Sequence, residues 1–124
     1  MNYQFSNLLD QQKLQEFYDG DPLIASGVFE AFVDEMATAV PALKDRFYSG
    51  NVPEHRQLVH KIKPGFLYVG LTKLYQYLDA LELSCDGASG MAELESPYEE
   101  VMLALGRDLP VVQEELIRLK SIAV

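Results

Sequence analysis

The sequence is short of the residues that build disulfides and metal centres. Its 124 residues include one cysteine, two histidines and no tryptophan. Cys85 alone cannot form a disulfide or a cysteine-based metal site within one chain, and we expect no metal ion or cofactor in this chain. The N-terminus has neither a basic start nor an apolar core, and no apolar run approaches the roughly 20 residues that a membrane-spanning helix needs. We therefore expect a cytoplasmic protein that does not bind a membrane.

Positive charge is also scarce. Ten lysines and arginines against nineteen acids give a formal net charge of −9, which argues against nucleic acid as a partner, because phosphate backbones are bound by concentrated basic surfaces. Residues 55–78 nevertheless contain no acid and carry +4, so the remainder carries −13. One positive patch on an acidic protein indicates that a small anionic group is handled there. The plain alternative is a solvated helix face that happens to lack acids.

Helical periodicity runs through most of the chain, and no alternation typical of strands is present. Four long segments carry apolar residues at spacings of three and four, and they are expected to start at the capping residues Asp21, Asn51, Thr72 and Ser96. A short helix is expected from about Leu8 to Tyr18, after a loose lead-in over residues 1–7. The sequence predicts an all-α fold in one domain, residues 1–124. Its architecture is an antiparallel up-down-up-down four-helix bundle with a short extra helix at the N-terminus.

The segment around His60 carries the clearest functional pattern. At about 100° per residue, the apolar stripe of its helix consists of Leu58, Val59, Ile62, Phe66 and Val69. His60 points away from this stripe. The outward face also carries Arg56, Lys63, Pro64, Leu67 and Leu71. An exposed imidazole among cations and apolar side chains is typical of a nucleophile beside a docking surface, whereas His55 lies near the buried side and is expected to be structural.

The run His60-Lys61-Ile62-Lys63-Pro64, followed by Val69-Gly70-Leu71, resembles the signature of histidine-containing phosphotransfer (HPt) domains. That pattern is His-x-x-Lys-small, with a glycine near the end of the same helix. With the helix layout, the resemblance covers nearly the whole chain. It implies a four-helix bundle that accepts a phosphoryl group from a receiver-domain aspartate and passes it to another in a two-component phosphorelay. His60 would be the phosphorylated nucleophile, and Lys63 would neutralise phosphate charge.

Family members commonly place a glutamine or glutamate on the following helix to orient the histidine, and an ungapped carry-over puts Glu82 there. Independently, His60 and Glu82 are each eleven residues from Leu71, so an antiparallel turn at Leu71 brings them level. The expected partner contacts are Arg56, Lys61, Pro64, Leu67 and Leu71. Pro64 stands where the family most often has glycine, and Leu67 stands where the residue is often small. We expect these two departures to affect partner choice.

The resemblance implies receiver domains of response regulators and a sensor or hybrid histidine kinase as partners, with a divalent metal on the receiver. We expect a monomeric phospho-carrier and not an autonomous kinase. The first alternative is an HPt-like interaction module that binds a kinase or receiver without phosphotransfer. A ferritin-type metal bundle would need inward Glu-x-x-His pairs, which the sequence lacks. A bundle enzyme with His60 as general base lacks a visible catalytic partner.

Overall fold

Four long helices close a ring around one core. The computed structural model describes residues 3–122. Its helices are α1 (Gln11–Tyr18), α2 (Pro22–Tyr48), α3 (Val52–Tyr68), α4 (Thr72–Cys85) and α5 (Glu95–Ile122), with a 3-10 turn, Met91–Leu94, before α5. Helix α3 packs against α2 and α4, and α5 packs against the same two helices. Short connections make successive helices antiparallel. The predicted all-α four-helix bundle is confirmed, and residues 3–122 contain no strand.

The apolar stripe predicted for α3 faces the core. Its five members, Leu58, Val59, Ile62, Phe66 and Val69, are each 6% exposed or less. Phe66 packs edge-on against Phe32 of α2, with ring centroids 5.0 Å apart. This burial fixes the rotation of α3, so the opposite face is turned outward. No helix within residues 3–122 is long and apolar enough to cross a membrane.

Two of the predicted helix starts are confirmed and two are wrong. The side chains of Asp21 and Asn51 accept hydrogen bonds from first-turn backbone N–H groups of α2 and α3. Thr72 does not cap α4, because its hydroxyl donates to Asp10 Oδ2 at 2.7 Å. Ser96 lies inside α5, because the 3-10 turn leads directly into that helix at Glu95. These two errors leave the order of the long helices unchanged.

The N-terminal segment is packed, so the prediction of a loose lead-in is wrong for residues 3–7; residues 1 and 2 lie outside the described range. Tyr3 and Phe5 are 6% and 2% exposed. The backbone N–H of Ser6 donates to Glu115 Oε2 at 2.9 Å, and Arg118 pairs with the other oxygen of that buried carboxylate. Ion pairing and aromatic burial thus tie this segment to the C-terminal half of α5.

The connection from α3 to α4 is tight and depends on Gly70. Its φ of +78° lies in the left-handed region, and an added Cβ would lie 2.9 Å from Leu14 Cδ1 and 3.0 Å from the Asp10 backbone nitrogen. The Asp10 N–H donates to the Gly70 carbonyl at 2.8 Å. Asp10 also caps α1, which therefore begins at Gln11 and not at Leu8 as predicted. The start of α1 closes over this turn and fixes how α3 and α4 align.

Candidate functional site

His60 lies near the middle of α3 on the outer face of the bundle. Its side chain is 68% exposed, and its Nδ1 lies 2.9 Å from Glu82 Oε2 on α4. The two residues are therefore level, as their equal distance from Leu71 predicted. Within residues 3–122, Nε2 makes no hydrogen bond to the protein, so one ring nitrogen is held and the other faces outward.

Glu82 is a buried carboxylate that gathers three basic side chains. The residue is 8% exposed. Besides His60, Lys63 Nζ lies 3.0 Å from Oε1, and Arg56 Nη2 lies 3.6 Å from Oε2. The Lys63 approach is an ion contact without hydrogen-bond alignment, since Oε1 accepts no aligned donor among the described residues. Burial opposes ionisation of Glu82, but the contacts with Lys63 and His60 outweigh it and lower its pKa.

The charge state of Glu82 determines the tautomer of His60. An ionised carboxylate can only accept hydrogen bonds. The 2.9 Å contact therefore requires that His60 Nδ1 carries the proton and donates it to Glu82. In the neutral ring, Nε2 then keeps its lone pair. The site presents an exposed nitrogen nucleophile whose orientation is fixed from behind.

Two further acids, one in α4 and one that directly follows it, pair with cations of α3, and the sequence interpretation missed both. In order along α3, the pairs are Arg56 Nε–Asp86 Oδ1 at 2.8 Å, His60 Nδ1–Glu82 Oε2 at 2.9 Å and Lys63 Nζ–Asp79 Oδ1 at 2.8 Å. We call these three pairs the α3–α4 ladder. Their members lie fifteen, eleven and eight residues on either side of Leu71. Counting equal numbers of residues on either side of Leu71, which predicted the middle pair, would also have identified the two outer pairs.

Lys63 is already engaged by carboxylates. Its side chain is 12% exposed, and the ammonium contacts Asp79 at 2.8 Å and Glu82 at 3.0 Å. It also lies 5.5 Å from the centre of the Tyr75 ring. The hydrogen bond to Asp79 is the main cause of a raised pKa for Lys63; burial opposes this rise, and Glu82 adds to it. Lys63 is therefore charged, and it can reach a group on His60 only by sharing or leaving a carboxylate.

Three of the five predicted partner contacts lie on the His60 face. Lys61, about 100° around α3 from His60, lines a groove between α2 and α3 instead, and Leu71 is buried. Lys61 and Pro64 are exposed, Leu67 is half-buried and the Arg56 side chain is 41% exposed. The prediction for Leu71 is wrong. This residue is 5% exposed, because α3 ends three residues earlier and the turn carries Leu71 into the core. It offers no surface to a partner.

An exposed aromatic pair adjoins this face and was not predicted. The ring of Tyr68 lies 5.0 Å from that of Phe17 of α1, measured between centroids. Tyr68 is 46% exposed and Phe17 is 40% exposed. Tyr68 follows His60 by eight residues, about 80° around the helix, so helical spacing was the signal that could have found it. The pair extends the apolar surface beyond Leu67.

The second histidine lies in the core, as predicted. His55 is 0% exposed. Its ring centroid lies 5.7 Å from those of Phe47 and Tyr98, which stack on each other at 3.7 Å. Neither nitrogen of His55 makes a hydrogen bond of standard geometry within residues 3–122. His60 is therefore the accessible imidazole of the two.

Comparison of the chain with protein-family models, curated proteins and solved structures gives no match. The site geometry and the motif around His60 are therefore the basis for assigning a function.

Proposed function

We propose that this protein is a histidine phosphotransfer protein of a two-component phosphorelay. In this proposal His60 accepts a phosphoryl group from a receiver-domain aspartate and passes it to another receiver. The observation that carries the proposal is the exposed imidazole whose Nδ1 donates to a buried, ionised Glu82 at 2.9 Å. The His-x-x-Lys motif and the four-helix bundle support the same function.

The chemistry follows from the proton on Nδ1. Nε2 attacks the phosphorus of an aspartyl phosphate, so the Nε2–P bond forms while the acyl O–P bond breaks and the aspartate carboxylate leaves. The Nδ1 proton stays in place, and the ring becomes cationic. Glu82 stabilises this cation through the hydrogen bond that it already accepts. Because the transition state for phosphoryl transfer is loose and in line, orientation of Nε2 by this chain and neutralisation of charge within the receiver's site dominate the catalysis.

The proposed partners are receiver domains, together with a sensor or hybrid histidine kinase. The divalent metal and the acidic cluster that bind the phosphoryl group belong to the receiver. Pro64, Leu67 and the Phe17–Tyr68 pair form an apolar surface beside His60 that suits docking of a receiver. In this proposal the protein is monomeric and cytoplasmic, and it carries phosphoryl groups without kinase activity of its own.

The test is transfer of labelled phosphate from a panel of phosphorylated receiver domains to the wild type and to the His60→Gln variant. We expect acid-labile label on the wild type and none on the variant. The variant retains His55, so loss of the label assigns the phosphorylated residue. Circular dichroism of both proteins checks that the variant is folded.

A folded wild type that no receiver labels would contradict the proposal. The HPt-like interaction module would then be the better description, and binding of the same receivers would be measured next. Label that survives in His60→Gln would contradict the choice of nucleophile.

A further inference from the structure

We infer that Asp79 and Asp86 are positioning residues that hold the cations of α3 beside α4 and thereby shorten the lifetime of phosphohistidine at His60. The inference rests on the proposed function and assigns a role to two acids that the motif does not contain. It starts from the α3–α4 ladder, in which Lys63 and Arg56 each contact an outer aspartate at 2.8 Å.

The charge of the ladder argues for this role. Three carboxylates face two permanent cations and a neutral imidazole, so the ladder carries one net negative charge. Phosphorylation makes the ring cationic and adds a phosphoryl dianion, which brings the net charge to two negative. The positive patch predicted for residues 55–78 is therefore neutralised where the anion must be held. Phosphohistidine is favoured less in this setting than it would be beside free cations.

The outer aspartates are near enough to act on the phosphoryl group. Along the axis of α4, Asp79 lies about 4.5 Å from Glu82, since an α-helix rises 1.5 Å per residue, and Asp86 directly follows the last residue of that helix. The Asp79 separation is shorter than the screening length of about 8 Å at physiological salt. Each aspartate acts by keeping its cation from turning towards the phosphoryl group.

The two aspartates should differ in strength. The Lys63 side chain is 12% exposed, whereas the Arg56 side chain is 41% exposed. Interactions of partly buried charges are screened less than those of exposed charges. Lys63 also lies one turn from His60 on the same face. Asp79, which holds Lys63, is therefore the stronger of the two positioning residues.

Release of Lys63 should slow hydrolysis of the N–P bond. In hydrolysis, water supplies an oxygen to phosphorus, the Nε2–P bond breaks and neutral His60 is regenerated with inorganic phosphate. The phosphoryl group carries less charge in its metaphosphate-like transition state than as a dianion. A cation that contacts the dianion therefore stabilises phosphohistidine more than it stabilises the transition state.

The experiment loads His60 with phosphoramidate, a chemical donor from which ammonia leaves as the Nε2–P bond forms, and follows the phosphohistidine by ³¹P NMR. Asp79→Asn is expected to lengthen its half-life about two- to fivefold, the range open to a partly exposed ion pair, and Asp86→Asn by less than about twofold. Glu30→Gln is the matched control. It breaks the Glu30–Lys120 pair between α2 and α5, whose side chains are 50% and 51% exposed. The half-life of phosphohistidine in Glu30→Gln should equal that in the wild type.

A double-mutant cycle tests whether Asp79 acts through Lys63. In the Lys63→Gln background, Asp79→Asn should leave the half-life unchanged, because no cation remains to be released. An Asp79→Asn effect that persists there would overturn the positioning role. A loss of stability alone would lower the melting temperature without producing this dependence on Lys63.

The two proposals fail in different ways. If receivers exchange phosphate with His60 but the aspartate variants share the wild-type half-life, only the inference is overturned. If receivers do not exchange phosphate while phosphoramidate loads His60, the phosphorelay proposal fails, and the half-lives still decide how the aspartates act. If neither donor modifies His60, both are overturned.

Discussion

The buried imidazole of His55 should make the stability of the bundle depend on pH. The ring is 0% exposed, packs against the stacked rings of Phe47 and Tyr98, and makes no hydrogen bond of standard geometry at either nitrogen within residues 3–122. Burial lowers the pKa of His55 below its ordinary value of 6.5; a poorly aligned contact with the Leu43 backbone opposes this shift, and the charge of Arg46 adds to it. The native state therefore favours the neutral ring.

The sign and size of the effect follow from linkage. As the pH falls, the unfolded chain binds the His55 proton before the native chain does, so the stabilising contribution is complete above pH 6.5 and is lost below it. If the ring stays neutral in the native state, each pH unit below 6.5 lowers the unfolding free energy by about 1.36 kcal/mol. Between pH 7.5 and pH 5.5, the loss of unfolding free energy attributable to His55 is therefore at most about 1.4 kcal/mol.

Urea denaturation at pH 7.5 and 5.5 measures this loss, with His55→Leu as the reference. Carboxylates contribute to the pH dependence of both proteins, so their share cancels in the difference. We expect the wild type to lose more unfolding free energy than the variant on acidification, by no more than about 1.4 kcal/mol. Equal losses in the two proteins, or a smaller loss in the wild type, would refute the argument that the buried ring remains neutral.

Three further predictions concern the α3–α4 turn, the site and the N-terminal segment. Gly70→Ala should lower the unfolding free energy by about 3 kcal/mol through backbone strain and steric clash. Gly50 has a similar φ of +77° but open space around it, so Gly50→Ala should lower the unfolding free energy by only about 1 kcal/mol. Thermal denaturation of the two variants measures the difference. Glu82→Ala should slow phosphorylation of His60 by about tenfold or more through loss of a charge-assisted hydrogen bond. Glu82→Gln should slow it less, because the amide oxygen of glutamine still accepts a hydrogen bond. Transfer rates equal to that of the wild type would contradict the orienting role of Glu82. Phe5→Ala should cost about 3–5 kcal/mol and Leu8→Ala, at a residue 72% exposed, less than about 0.5 kcal/mol in urea titrations.

Local patterns in the sequence predicted the helices because each signal lies within a few residues. The stripe of α3 and the caps Asp21 and Asn51 depend only on helical spacing and on the first turn of a helix. Burial of Tyr3 and Phe5 could not be read in this way. Their segment has no helical period, and it is held by Glu115, more than a hundred residues along the chain. Contacts of that kind are invisible to any local window.

The site was predictable to the extent that its geometry follows from one helix and one turn. Exposure of His60 follows from the rotation of α3, and the position of Glu82 follows from the turn at Leu71. The error at Leu71 has the same origin. The prediction applied the helical angle to Leu71, although α3 ends at Tyr68. A helical angle no longer describes side-chain direction once the backbone enters the turn at Gly70.

The motif on α3 and the ladder between α3 and α4 contain different information. The motif identifies His60 and Lys63 but cannot show that Lys63 is held by α4. All three pairs of the ladder depend on one register, which the Gly70 turn sets. One residue added to that turn would shift the register of α4 against α3 and would separate the three pairs together. The ionic environment of His60 is thus specified by the turn that aligns two helices, and acids placed symmetrically about such a turn are the feature to seek in a sequence.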